Sequence, residues 1–213
     1  MPPAEPLRLG VLFSGGGRTL ENLALRIRDG SLPASIAISI SSHREAGGIA
    51  RAQRLGVPCK LLDYREHADS FSRDIAAELD AAGVQLIVLA GFIRPYRFPP
   101  HHAGRILNIH PAILPAFGGK GFYGDRVHEA VIRSGMKFSG CTVHFVTEEY
   151  DSGPIILQRI VPVLPGDTPH DLAERIFLEE CIAYPAAIRL YAEGRLEVVG
   201  GKVIVREPPR PDR

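Results

Sequence analysis

The stretch LRLGVLFSGGGRTLENLALRIRDG, residues 7–30, decides the fold. Its first seven residues are a short apolar run, as in a strand buried on both faces. Leu20, Leu23 and Ile27 then recur at helical spacing, and Gly30 supplies a stop. Between strand and helix stand Ser14, Gly15, Gly16 and Gly17. A strand that passes through a glycine turn into a helix opens an α/β unit.

The same alternation continues outward. ASIAISIS (34–41) reads as a second strand and is followed by a helix to about Gly56. CKLLD (59–63) is a third strand, and HADSFSRDIAAELDAAG (67–83) is a helix. VQLIVLAGF (84–92) and RILNIH (105–110) are a fourth and a fifth strand. Strand and helix in strict turn predict a mostly parallel, Rossmann-like sheet with helices on both faces. After Pro115 the rhythm changes. GDRVHEAVIRSG (124–135) is a helix, and KFSGCTVHFV (137–146) and GPIILQRIVPV (153–163) are strands. A long helix spans 168–194, with a kink expected at Pro185, and LEVVGGKVIV (196–205) is a hairpin. The C-terminal part is therefore expected to be mixed or antiparallel. Residues 7–197 read as a single domain, 198–213 as hairpin and frayed tail, and 1–6 as a disordered N-terminus.

Composition narrows the class. Of 213 residues, 45% are hydrophobic and 23% charged, which is ordinary for a globular domain able to bury its own core. A net charge of +1 does not point to nucleic acid or to an anionic membrane. Three dispersed cysteines (Cys59, Cys141, Cys181) form no disulfide or zinc pattern, which suits reduced thiols in a cytoplasmic protein. MPPAEP lacks the basic start and apolar run of a signal peptide, and no apolar segment is long enough to span a bilayer.

The glycine loop has two readings. It is a tight turn, or a cradle where backbone N–H groups at a helix N-terminus receive a phosphate. A dinucleotide fingerprint needs a third glycine where Leu20 stands, and an acid where the second strand ends in Ser41, Ser42 and His43. A nucleoside-triphosphate loop needs Gly-Lys-Ser/Thr, whereas Arg18 and Thr19 follow Gly17 here. A simple phosphomonoester fits best.

Asn108 and His110 interrupt the fifth strand. Residues two apart in a strand share a face, so both project together near the strand's carboxyl end, where open α/β sheets hold ligands. An amide N–H and an imidazole aimed at one point can stabilise an oxyanion. The alternative is a pair satisfied by neighbouring backbone. On the sixth strand Thr142, His144 and Val146 share one face while Cys141 and Phe145 take the other, which separates Cys141 from His144 as metal ligands. His101 and His102 read as surface residues that do not converge on a metal. Asp151, before Ser152-Gly153-Pro154, reads as a turn residue when taken alone.

Taken together, NIHPAILPAF (108–117), GCTVHFVTEEYDSGPIILQ (140–158) and VLAGFIR (88–94) resemble the folate-dependent phosphoribosylglycinamide formyltransferases over about residues 8–197. The resemblance implies transfer of a formyl group from 10-formyltetrahydrofolate, as co-substrate, to the amine of glycinamide ribonucleotide in purine synthesis. It implies Asn108, His110 and Asp151 as catalytic residues, with Thr142 and His144 in support. It implies Gly15, Gly16, Gly17, Arg18 and Thr19 as the phosphate loop, and Glu180 as a ribonucleotide contact. Ile93, Arg94, Pro95 and Tyr96, with Asn108, then meet the folate. Asn108 would donate to the formyl oxygen, and His110 would donate or supply a proton. Asp151 would raise the pKa of His110, and no metal is needed.

Several positions depart from the family pattern. Arg18 and Thr19 replace smaller or amide residues, and Arg18 offers a charged phosphate contact. Phe177 stands in place of a polar residue facing the ribonucleotide. Ala68 falls near a folate-contacting arginine, with Arg65 as a candidate substitute. The connection through Gly118–Gly124 is long, and reads either as a substrate-covering loop or as a passive insertion. A related amino-sugar nucleotide formyltransferase and a catalytically silent phosphometabolite-binding module are the competing readings. Methionyl-tRNA formyltransferase and formyltetrahydrofolate hydrolase would carry further domains. Small molecules are the expected partners, and the chain is expected to be a monomer or homodimer.

Overall fold

A computed structural model describes residues 5–207, so most of the two terminal segments expected to be disordered or frayed lies outside the described residues. Five strands run parallel in one sheet: β1 (Leu7–Phe13), β2 (Ala34–Ser41), β3 (Cys59–Leu61), β4 (Leu86–Leu89) and β5 (Ile106–His110). β6 (Phe138–Phe145) and β7 (Ile155–Pro162) extend it antiparallel, in the order β3-β2-β1-β4-β5-β6-β7. The helices are α1 (Arg18–Arg28), α2 (Gly47–Arg54), α3 (Phe71–Ala81), α4 (Asp125–Ser134) and α5 (Pro169–Ala192). β8 (Leu196–Val199) and β9 (Lys202–Val205) are the expected hairpin, but they form a sheet of their own. No helix among the described residues is long and apolar enough to cross a membrane.

Both faces of the sheet are covered, as near-continuous apolar strands require. Leu9, Val11 and Phe13 of β1 enter one core with Leu20 and Leu23 of α1 and Ile176 and Ile188 of α5. Leu12 enters the other core with Phe71, Ile75 and Leu79 of α3. Each such side chain, removed from water, contributes on the order of 1.5–3 kcal/mol. Gly10 is what lets α3 close on β1, because a Cβ there would lie 2.4 Å from Leu79 Cδ2.

Two helices differ from the expectation. α3 begins at Phe71 rather than His67. The His67 and Ser70 side chains both bond the Asp74 carboxylate, which holds 67–70 as turns before the helix starts. α5 opens on a capping box in which Thr168 and Asp171 satisfy each other's backbone N–H, with Pro169 in the first turn. It then runs through Pro185 as one helix. Proline has no N–H for the Cys181 carbonyl one turn back, and Asn22 Nδ2 donates to that carbonyl instead at 3.2 Å.

The residue before that proline secures the strands that carry the site. Tyr184 is fully buried, and its hydroxyl lies 2.9 Å from the Leu89 carbonyl and 2.8 Å from the Leu107 carbonyl. It links the ends of β4 and β5 immediately before Asn108. Tyr184→Phe leaves both carbonyls without that donor and is expected to cost about 1–3 kcal/mol in urea unfolding. An unchanged midpoint and slope would show that the bond contributes nothing.

Candidate active site

β1 and β4 are adjacent parallel strands whose chains depart to opposite sides of the sheet, β1 toward β2 and β4 toward β5. Such a switch point leaves a crevice at the strands' carboxyl ends. The glycine loop follows β1 and the segment 90–97 follows β4, so the two flank it. Ser14 joins them, its Oγ accepting from the Ile93 N–H at 3.0 Å while bonded to Ser42 Oγ at 2.6 Å. A cavity of about 730 Å³ opens there, and Asn108, His110, His144 and Asp151 are among its lining residues.

The antiparallel register of β5 and β6 sets Asn108 opposite His144, and His110 opposite Thr142. Each donor then has a defined partner. The Phe145 carbonyl accepts from His144 Nδ1–H at 2.8 Å, which leaves Nε2 as a lone pair. That lone pair accepts from Asn108 Nδ2 at 3.1 Å, which fixes the amide orientation, and a second, long contact runs from Nδ2 to Asp151 Oδ1 at 3.4 Å. Thr142 Oγ1 donates to the Ala112 carbonyl and accepts from the Leu114 N–H, holding the chain that follows His110.

His110 Nε2–H donates to the Phe117 carbonyl at 2.8 Å, so its Nδ1 faces Asp151 Oδ2, 3.6 Å away. The expectation of a raised His110 pKa is corrected here. Burial is the larger influence and pushes the imidazole below its usual value, while Asp151 only pulls it part of the way back. For Asp151 itself, burial would raise the pKa. Hydrogen-bond donation outweighs burial and holds the carboxyl low, with the Gly119 N–H 2.9 Å from Oδ2. Asp151 does sit in a turn, as its sequence context suggests. Its backbone adopts φ 54°, but its carboxylate is spent on the cavity.

The glycine loop divides between the two readings. Gly17 has φ 75°, and a Cβ there would lie 2.7 Å from Gly48 Cα, so turn geometry and packing account for it. Gly15 and Gly16 are exposed, and a Cβ at either would meet nothing within 4 Å. α1 has no side-chain cap, which leaves its first N–H groups available to an anion. Arg18 and Thr19 line the cavity, while Gly15, Gly16 and Gly17 are not among its lining residues. Arg18 has protein partners of its own. Its guanidinium pairs with both oxygens of Glu174 and stacks on Phe177 at 3.8 Å from the ring centre. The two departures Arg18 and Phe177 are thus one unit. Glu180 also lines the cavity, and burial pushes its carboxyl up to about 7.

Ile93, Arg94, Pro95 and Tyr96 all line the cavity. The Arg94 guanidinium lies over the Tyr64 ring, and its buried Nε has no partner. Arg65 does not line this cavity, and Ala68 lines a neighbouring one of about 840 Å³ instead. The surface reading holds for His101, which is exposed, and is corrected for His102, which is 1% exposed and bonds Tyr96 and Asp80.

Three participants are not legible in the sequence. Phe117 and Gly119 act through backbone groups of the long connection, whose glycines are the only signal. His128 lines the cavity, and its buried Nδ1 has no partner. Burial holds its pKa below the usual value.

Residues 7–188 match the family model described as formyl transferase. The chain is 39% identical to the chloroplastic phosphoribosylglycinamide formyltransferase of Arabidopsis thaliana over 91% of its own length and 68% of that protein's. It is 34% identical to the phosphoribosylglycinamide formyltransferase of Escherichia coli over 90% of both chains. The crystal structure of glycinamide ribonucleotide transformylase 1 from Symbiobacterium toebii superposes with a TM-score of 0.88, at 43% identity and 96% coverage of each chain. The chain therefore belongs to the formyltransferase family, among its phosphoribosylglycinamide formyltransferases.

Proposed function

We propose that the chain transfers a formyl group from 10-formyltetrahydrofolate to the amine of phosphoribosylglycinamide, a step of purine synthesis. The observation that carries this is the convergence of Asn108, His110 and Asp151 in one cavity that also reaches Arg18, Thr19 and Glu180. The segment 93–96 lines the same cavity and is assigned to the folate, with the ribonucleotide phosphate toward the start of α1. A folate bound there supplies an activated formyl carbon.

The residues divide the work. Asn108 keeps one N–H on His144 and turns the other, held only at 3.4 Å by Asp151, to the formyl oxygen as charge develops. His110 is neutral in the free site, with Nδ1 unprotonated, and receives the proton shed by the attacking amine. Asp151 remains ionised and stabilises that proton on Nδ1 until it passes to the departing folate nitrogen. The Gly119 N–H holds the carboxylate in place. The loop through Gly118–Gly124 is therefore assigned to the reacting centre rather than to a passive insertion.

A cytoplasmic setting and a monomeric or homodimeric state complete the proposal. The setting is supported by three free cysteines. The amino-sugar nucleotide alternative shares the Asn-His-Asp set, so turnover with each amine acceptor separates the two. Turnover with the amino sugar and none with phosphoribosylglycinamide would reject the proposal.

Two variants test the roles. Asn108→Ala should lower kcat by about 10²–10³-fold, as for a lost oxyanion donor, and His110→Ala by about 10²–10⁴-fold, as for a lost general base, with ribonucleotide affinity changed far less. Near-normal turnover in either would remove that residue from the chemistry. Glu180 tests the cavity's electrostatics. Its folded pKa of about 7 exceeds the unfolded 4.5, so the fold binds more protons between these values and loses stability as pH rises through them. Glu180→Gln escapes this loss. It should match the wild type below pH 4.5 and exceed it by up to about 3 kcal/mol above pH 7 in denaturation experiments. A pH-independent difference would show that Glu180 is not held in its neutral form.

A further inference from the structure

Asp80, at the end of α3, receives both imidazoles of the 3-10 turn Pro100–His102. His101 Nε2 lies 3.1 Å from Asp80 Oδ2, and His102 Nε2 lies 2.9 Å from Oδ1. The three ligand atoms fall within 4.8 Å of one another. Around a tetrahedral zinc ion, ligand atoms about 2.0–2.2 Å from the metal stand roughly 3.3–3.6 Å apart, so the two Asp80–imidazole distances need only a small expansion to admit an ion. We propose that Asp80, His101 and His102 form a binding site for a zinc-class divalent ion, outside the catalytic centre.

Four features favour a metal over a plain hydrogen-bonded cluster. The donor set, two imidazoles and one carboxylate, is of the kind that selects zinc, cobalt or nickel over magnesium or calcium. Among the described residues, the ion-pair partners of Asp80 are these two imidazoles, with no lysine or arginine competing for it. Arg8 and Arg105 on flanking segments are committed to backbone carbonyls, Arg8 to Ala82 and Gly83, and Arg105 to Val84 and Gln85. His102 is buried and held from behind, with its Nδ1 2.7 Å from the Tyr96 hydroxyl. A ligating imidazole fixed through its second nitrogen is the usual outer support of a metal site. Asp80 and His101 are open to solvent, which leaves room for water to complete the coordination.

The site reaches the cavity through Tyr96. Without an ion, His102 Nε2–H donates to Asp80, so Nδ1 accepts from the Tyr96 hydroxyl. An ion on Nε2 needs the lone pair there. The imidazole stays neutral, its proton moves to Nδ1 by exchange with water, and Nδ1–H then donates to the Tyr96 oxygen. The Tyr96 hydroxyl hydrogen then turns away from Nδ1 toward another acceptor. Tyr96 lines the 730 Å³ cavity, and the ion thereby ties the end of α3 to the segment assigned to the folate.

The test uses the untagged full chain, stripped with a chelator, with Zn²⁺ titrated by calorimetry and Co²⁺ by visible absorption. The expected result is one ion per chain with a dissociation constant in the micromolar range or tighter. Asp80→Asn and the exposed His101→Ala should each weaken binding by at least about tenfold. Long-range proton–nitrogen NMR spectra should show His102 changing from its Nε2–H to its Nδ1–H tautomer on Zn²⁺ addition. Absence of saturable binding, binding indifferent to both substitutions, or an unchanged His102 tautomer would each overturn the proposal.

Discussion

One register, that of β5 against β6, carries the reacting centre. Side chains alternate along a strand, so a slip of one residue would turn Asn108 and His110 into the core and bring apolar neighbours into the cavity. The register as formed puts Asn108 on His144 and His110 beside Thr142, each with a fixed donor and acceptor. Several features converge on keeping it. Tyr184 bonds the carbonyls at the ends of β4 and β5. Gly140 permits β7 to lie against β6, since a Cβ there would fall 1.8 Å from the Arg159 carbonyl oxygen. Thr142 ties the Ala112–Leu114 segment back onto β6.

On that frame the electrostatics follow from burial. A carboxylate withdrawn from water costs several kcal/mol unless it is paired and hydrogen-bonded. Asp151 accepts from the Gly119 N–H and, at longer range, from the Asn108 amide, and its carboxyl is held low, so it stays ionised. His110 has one carboxylate against a larger burial cost, so it stays neutral until a proton is delivered. A neutral base beside a fixed anion suits a reaction in which a proton leaves one nitrogen and arrives at another.

What the sequence discloses depends on the distance over which a contact is made. Strand periodicity alone places Asn108 with His110, and Thr142 with His144, because each pair is two residues apart on one strand. The glycine loop is readable for the same local reason. The sign of the His110 shift is not, because burial is a property of the folded surroundings and not of neighbouring residues. Asp151 reads only as a turn residue because its partner, Gly119, lies 32 positions away. The pairing of Arg18 with Glu174, 156 positions on, is not legible because no local pattern joins them. His102 reads as surface because Asp80 and Tyr96 bury it only when the end of α3 meets the 3-10 turn. The helix continues through Pro185, and Asn22, 159 positions before Cys181, satisfies the carbonyl that proline leaves open, beyond the reach of local pattern.

The central claim is that Asp151 acts on His110 through charge across 3.6 Å, in a site where burial otherwise governs the imidazole. An NMR titration of His110 in the wild type and in Asp151→Asn measures this directly. Asparagine tolerates the left-handed backbone at this position and preserves the side-chain shape while removing the charge. The account predicts a His110 pKa below the usual histidine value in the wild type and lower still in the variant, with both proteins folded. An identical titration in the two, or a higher value in the variant, would contradict it.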